Sequence, residues 1–469
     1  MKKRDLKFFA YVSVVLCVCI LSGFIRSESI NGSEGGISLL TTMVATPFVT
    51  SEASPAVQSS APETSSAPRG SASEVTPAVT KTPKPTKTPG STTSAPLKYN
   101  SSEIRGVWLS TVGNLDYPSK QALTKAQLKE ELKSVVKTCA NSGINTIFFQ
   151  VRPASDALYK SDIYPWSAYV SGKQGKAPDG NFDSLKFLIK KASAKNIGVQ
   201  AWINPYRAAV ATHSFSNLAA NSPVRKNKSL IRKCSDGNMY FDPGKPKSLE
   251  IIISGIKEIV ENYDIQGIHF DDYFYPDVKF NDDATYKKYG KGFKSKAAWR
   301  RSNVNKLIKQ TRDTVKSVKP NVQFGVSPAG VWANKDNKKL GSDTRGNESF
   351  FAHSANTRMW VKKEWIDYII PQIYWEIGHP QADYKTLVKW WSDVAKTSKT
   401  RLYIGLAAYR LSKSSPTKAW RSSNMLKKEI KLNRKYDAVN GSVLFRYKQI
   451  ADNTLGIRNV VKDYLYKEK

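Results

Sequence analysis

From about residue 103 onward, short apolar runs alternate with longer amphipathic stretches. The runs cover 105–110, 146–152, 198–204, 267–272, 323–327, 368–374, 402–406 and 442–445. Each is too apolar for a half-exposed strand. Between them, apolar positions recur at helical spacing over 127–140, 185–194, 248–263, 303–318, 384–395 and 425–436. Strands buried on both faces and separated by helices predict a parallel sheet covered by helices. A doubly wound open sheet is the alternative. The count of eight runs, and the lack of a Gly-rich phosphate loop after the first, favour an α/β fold of the (β/α)8 TIM-barrel type over 103–469.

The first hundred residues follow a different pattern. Lys2, Lys3, Arg4 and Lys7 precede an apolar run over 8–25, and after Arg26 no Lys or Arg occurs until Arg69. That asymmetry places the N-terminus in the cytoplasm and predicts export. No small-x-small cleavage site follows the run, so 1–26 reads as an uncleaved membrane anchor, with a cleaved signal peptide as the alternative. Residues 27–102 are rich in Ser, Thr, Pro and Ala and cannot bury enough apolar area to offset chain entropy, so a disordered stalk is expected. The apolar stretch 37–49 is short and interrupted by Pro47, which argues against a second span.

Charge and cysteine usage narrow the partners. The net charge is +34, of which residues 1–98 carry only +4. A field of that sign attracts anionic glycans and anionic wall polymers, or simply solvates the surface. It is spread through the domain rather than along one helix, so no nucleic acid is expected. Cys17 and Cys19 lie in the apolar run, preceded by Leu16 and Val18 rather than by small residues, so neither marks a lipoprotein site. Cys139 falls on an apolar helical face and Cys234 stands alone, which gives neither a disulfide framework nor a metal-ligand spacing.

In a barrel of this kind the chemistry sits at the C-terminal ends of the strands. The second run ends in Gln150-Val151-Arg152, and the third in Trp202-Ile203-Asn204-Pro205-Tyr206-Arg207. The fourth ends in His269-Phe270-Asp271-Asp272-Tyr273, and the sixth in Gln372-Ile373-Tyr374-Trp375-Glu376. Such polar and aromatic ends suit a sugar, whose hydroxyls need carboxylates, amides and Arg while its ring faces stack on Trp and Tyr.

Strand alternation orients these residues. His269 and Asp271 share a side, and Gly267 leaves room on it, so Asp271 is placed inward with His269 below. By the same parity Gln150 goes with Arg152, Trp202 with Asn204, and Gln372 with Tyr374 and Glu376. Glycoside hydrolysis needs one protonated and one ionised carboxyl group. Asp271 is the candidate nucleophile, kept ionised if Arg152 or Arg207 lines the cleft. Glu376, beside Trp375, is the candidate acid. Asp272 either faces the cleft or anchors Arg and backbone groups. Alternation splits His269, Asp271 and Asp272 between two faces, so no metal and no cofactor is expected.

Taken together, these segments resemble the glycosyl-hydrolase-like family ten. The resemblance is carried by Arg105-Gly106-Val107-Trp108-Leu109, Phe149-Gln150-Val151-Arg152-Pro153, Ser155-Asp156-Ala157-Leu158-Tyr159 and Tyr164-Pro165-Trp166-Ser167. It continues through Ala201–Arg207, Gly267–Pro276 and Pro371-Gln372-Ile373-Tyr374-Trp375. It implies a (β/α)8 barrel acting on bacterial envelope glycans, with peptidoglycan suggested for some relatives, and it carries the reacting strand-four carboxylate over to Asp271. A barrel that binds wall glycan without turnover is the competing expectation.

Overall fold

The computed structural model describes residues 103–211 and 213–465. The anchor expected over 1–26 and the stalk expected over 27–102 lie outside the described residues. Among the described residues no helix is long and apolar enough to cross a membrane.

Among the described residues, eleven strands form two sheets. They are β1 Ile104–Leu109, β2 Thr146–Arg152, β3 Gly198–Ile203, β4 Arg207–Ala209, β5 Ile231–Lys233, β6 Met239–Phe241, β7 Gly267–Phe270, β8 Gln323–Val326, β9 Tyr368–Ile369, β10 Arg401–Leu406 and β11 Val439–Leu444. Eight of them close a parallel barrel in the order β1-β2-β3-β7-β8-β9-β10-β11, and each of the eight apolar runs supplies one. The ninth strand is shorter than its run because Pro371 lacks the N–H that a ladder needs. Gln372 nevertheless prolongs the line by bridging Ala329 and Gly405. The other three strands form a small antiparallel sheet, β4-β6-β5, inserted after β3.

The helices follow their sequence signals. We label the main ones α1 Lys125–Asn141, α2 Ser184–Ser193, α3 Pro246–Asn262, α4 Lys296–Val318, α5 Thr357–Lys362, α6 Tyr384–Ala395 and α7 Asn424–Asn433. Helix α1 starts at a capping box, in which Gln127 N donates to Thr124 Oγ1 and Thr124 N donates to Gln127 Oε1. It buries Leu128, Leu132, Val135, Val136 and Cys139, a stripe worth about 1.5–3 kcal/mol per large side chain. Asp183, Ser295 and Asp383 cap α2, α4 and α6 in the same way.

Inside the barrel, Ile104, Trp108, Phe148, Trp202, Tyr368, Ile370, Tyr403 and Val443 form a core separate from the one between sheet and helices. Large rings fit there because facing positions are glycine. A Cβ on Gly325 would sit 2.2 Å from the Tyr368 ring, and one on Gly267 2.0 Å from Gln200 Oε1. This aromatic plug is the floor on which the strand-end residues stand.

Candidate active site

The floor holds His269. Trp108 Nε1 donates to its Nε2 at 3.2 Å, with Ser327 Oγ 3.0 Å from the same nitrogen. An indole N–H can only donate, so Nε2 accepts and the ring proton sits on Nδ1, 3.2 Å from the Tyr368 hydroxyl. Tyr368 in turn donates to Gln200 Oε1 at 3.3 Å. Burial pushes the imidazole down to about 3, so the ring is neutral. His269, expected as a substrate contact, is instead enclosed beneath the site with both nitrogens engaged.

One step above, Asp271 is 4% exposed and accepts three hydrogen bonds. Trp202 Nε1 donates to Oδ2 at 3.2 Å, Asn204 Nδ2 to the same oxygen at 2.5 Å, and Tyr273 N to Oδ1 at 3.2 Å. Asn204 is itself oriented by Gln150, whose Nε2 donates to Asn204 Oδ1 at 2.8 Å. Gln150 Oε1 accepts from the backbone N–H groups of Thr111 and Val112, at 2.9 and 3.0 Å. Strands β1, β2, β3 and β7 therefore meet at one carboxylate through a single hydrogen-bonded relay.

Asp272 is half-buried and hydrogen-bonded to Gln372. Gln372 Nε2 donates to Ser327 O at 2.8 Å, which fixes the amide. Both aspartates are held above the usual carboxylate range. Burial is the largest cause for each, and the charge of Asp272 raises Asp271 further. Arg207 opposes the rise at both. Its guanidinium lies over the Tyr273 ring, 4.3 Å from the centroid, and donates from Nη1 to Pro153 O. Tyr374 completes this wall. It has Asp271, Asp272 and Tyr273 as electrostatic neighbours, and its ring stacks on Phe445 at 6.0 Å.

Two expected residues, Arg152 and Tyr206, fall elsewhere. Arg152 does not share a side with Gln150. Gln150 pairs with Trp202 and Arg152 with Ile203, so β2 carries one residue more than β3 over this step. Such a bulge reverses the parity of everything beyond it. The Arg152 side chain is fully buried and lies 3.9 Å over the Tyr164 ring, in the layer where Tyr164 donates to Ile251 O of α3. Tyr206 is buried in the outer core, near Asp242. Glu376 has its own surroundings: Trp420 Nε1 donates to its Oε2 at 3.1 Å, and Arg410 Nη1 lies 3.9 Å from the same oxygen. Behind it Glu429 is fully buried on α7, held well above the ordinary range by burial and by the charge of Glu376. Trp375 is half-buried and packs against Gly330 and His379.

The strand-end rule also reaches residues that the sequence reading did not single out. Asp116, in the loop after β1, accepts from Ser110 N at 2.9 Å, Lys448 N at 3.0 Å and Arg446 Nη1 at 3.1 Å. Burial pushes its carboxyl up to about 6 against the pull of Arg446. It ties the first barrel strand to the last. Tyr409 and Phe445 follow β10 and β11 and pack on Tyr374. The ends of the first, seventh and eighth runs would have exposed all three.

Comparison with known proteins identifies the family. The family model "Glycosyl hydrolase-like 10" matches residues 103–422. "Glycosyl hydrolase YngK" of Bacillus subtilis (strain 168) is 38% identical over 385 residues, covering 80% of this chain and 74% of that protein. "Glycosyl hydrolase DigH" of Escherichia coli (strain K12) is 39% identical over 378 residues, covering 76% of this chain and 86% of that protein. Among solved structures, the PgaB (BpsB) glycoside hydrolase domain from Bordetella bronchiseptica superposes with a TM-score of 0.51 at 11% identity, over 73% of this chain and 95% of that one, a likeness of fold alone. On the family match over 103–422 and these two relatives, the chain belongs to the glycosyl hydrolase-like 10 family.

Proposed function

We propose that the protein is an exported glycoside hydrolase that cuts a bacterial envelope glycan, peptidoglycan or a related polysaccharide, held outside the membrane by its N-terminal segment. The observation that carries the reaction is the adjacent pair Asp271–Asp272, both raised by burial and, for Asp271, by mutual repulsion. Two carboxyls in that setting retain a proton to higher pH than ordinary aspartates, which suits the general acid of glycosidic cleavage. Asp271 is bound by three donors and anchors the pair, while the more exposed Asp272 delivers the proton to the leaving oxygen. Glu376, expected from sequence as the acid, is faced by two donors, and we assign it instead the role of second carboxylate. Tyr374, Trp375, Gln372 and Arg207 contact the sugar.

Leaving-group dependence separates these roles. Purified protein would be assayed on envelope glycan and on an aryl glycoside of the released sugar. Asp272→Asn should lose most of its rate on glycan but little on the aryl glycoside, which needs no acid. Glu376→Gln should lose both. Wild-type protein that binds glycan saturably yet yields no reducing ends would overturn the hydrolase reading in favour of a binding barrel.

A further inference from the structure

A cleft of about 230 Å³ lies between the loop after β8 and helix α5. Trp332, Phe350 and Met359 give it an apolar lining. Packing sets the rings. Trp332 stacks on Trp390 of α6, with centroids 5.8 Å apart and planes at 20°, and meets Phe350 edge-on at 5.2 Å. Leu340 lines the same cleft and is 53% exposed, and Phe351, packed on Phe350, is 41% exposed. Folding thus leaves two large apolar side chains in water beside an apolar recess.

The polar part of the lining is cationic. Lys338, Arg358 and Lys362 border the cleft, and no carboxylate does so among the described residues. Lys338 Nζ lies 4.8 Å from the Phe350 centroid and 5.8 Å from that of Trp332, and the Arg358 guanidinium lies 5.9 Å from Trp332. A cation held over a ring face has given up part of its freedom before any ligand arrives. None of the three side chains forms an ion pair or hydrogen bond among the described residues.

This layout selects among occupants. The volume is below the roughly 300–1,000 Å³ of pockets that enclose a small ligand, and suits one large side chain. Sugar hydroxyls need acceptors as well as donors, yet the one side-chain oxygen acceptor in the lining is the Asn356 amide. A net charge of +34 opposes a second copy of this chain. A lipid surface takes protruding rings, whereas Trp332 and Phe350 are recessed. We propose that the cleft docks an acidic segment of another protein. One large apolar side chain seats against Leu340 and Met359, and flanking carboxylates meet Lys338, Arg358 and Lys362. Buried apolar anchors ringed by complementary charge are the usual source of affinity in such contacts. No carboxylate assigned to the reaction lines this cleft, so docking and hydrolysis stand or fall separately.

The test titrates the full chain, held in neutral detergent at low salt, with blocked pentapeptides and follows binding by calorimetry. One peptide carries tryptophan between two pairs of glutamates. A second has alanine in place of the tryptophan, and a third has lysines in place of the glutamates. The first should bind about ten-fold more tightly than either of the others. Lys338→Gln/Arg358→Gln should weaken it about five-fold, the scale of two partly screened ion pairs, without changing Tm. Leu340→Glu, at an exposed position that tolerates charge, should weaken it at least as much. An alanine peptide that binds equally well reduces the cleft to a charged surface and overturns the proposal. So does binding that both variants leave unchanged, or no saturable binding of the first peptide. Displacement of that peptide by dihexanoyl phosphatidylglycerol at equal charge makes the cleft a lipid site and overturns it as well.

Discussion

Asn204 donates to Asp271 Oδ2 at 2.5 Å while its own Oδ1 accepts from Gln150 at 2.8 Å, so two amides in series join the Asp271 carboxylate to the loop after the first strand. The two ends of Asn204 have opposite polarity, so its amide accepts on one side and donates on the other from separate atoms. Asn204→Ala should strand the Gln150 N–H in a buried site and release Asp271. We expect a loss of about 1–3 kcal/mol in stability and about 100-fold in kcat from misplacement of the carboxylate. Chemical denaturation and glycan hydrolysis measure the two. A variant with wild-type kcat would remove Asn204 from the positioning of Asp271.

Arg207 tempers the rise that burial imposes on the pair. Its charge lowers both carboxyls, so Arg207→Gln should let them rise further. The acid form then persists to higher pH, and the alkaline limb of the kcat profile should move up by about one pH unit. A limb that stays in place, or moves down, would show that another group controls it.

Asp272 carries the same sign into stability. Its folded carboxyl lies above its unfolded value, so folding favours the protonated form. Its contribution is fully present below about pH 4 and is lost as the pH rises through the raised folded value. Asp272→Asn removes that loss. The variant should match wild type at pH 4 and gain roughly 1–3 °C in Tm at pH 8, while losing hydrolysis. Thermal unfolding at the two pH values decides the matter, and a Tm gain at acid pH would contradict the sign.

The floor makes a steric prediction. A methyl group at Gly325 would press on the Tyr368 ring at 2.2 Å, and Tyr368 holds the Nδ1 proton of His269. Gly325→Ala should cost about 1–3 kcal/mol by overpacking. It should also lower activity, although residue 325 touches no strand-end carboxylate. Circular dichroism melts and hydrolysis assays on one preparation would register both effects.

The barrel was legible because its strands are buried on both faces and its helices on one, so periodicity and length separated them cleanly. Gly267 and Phe270 correctly oriented the fourth strand, with Phe270 packing on Phe324 in the outer layer and Asp271 turned inward. Alternation failed at Arg152, where the extra residue in β2 depends on how two strands pair and leaves no mark in either strand alone. The surroundings of Glu376 were equally hidden, since Trp420 and Arg410 reach it from 44 and 34 positions further along the chain. The pairing of Asp271 with Asp272 was visible as adjacent letters, but its chemistry depends on burial that only the closed barrel supplies.

The small antiparallel sheet inserted after β3 has a bearing on the electrostatics of the site. Arg207 begins that insert, as the first residue of β4, and none of the eight barrel strands carries it. The cation that opposes the rise of both aspartates thus comes from an inserted segment, while the aspartates themselves follow a strand of the barrel.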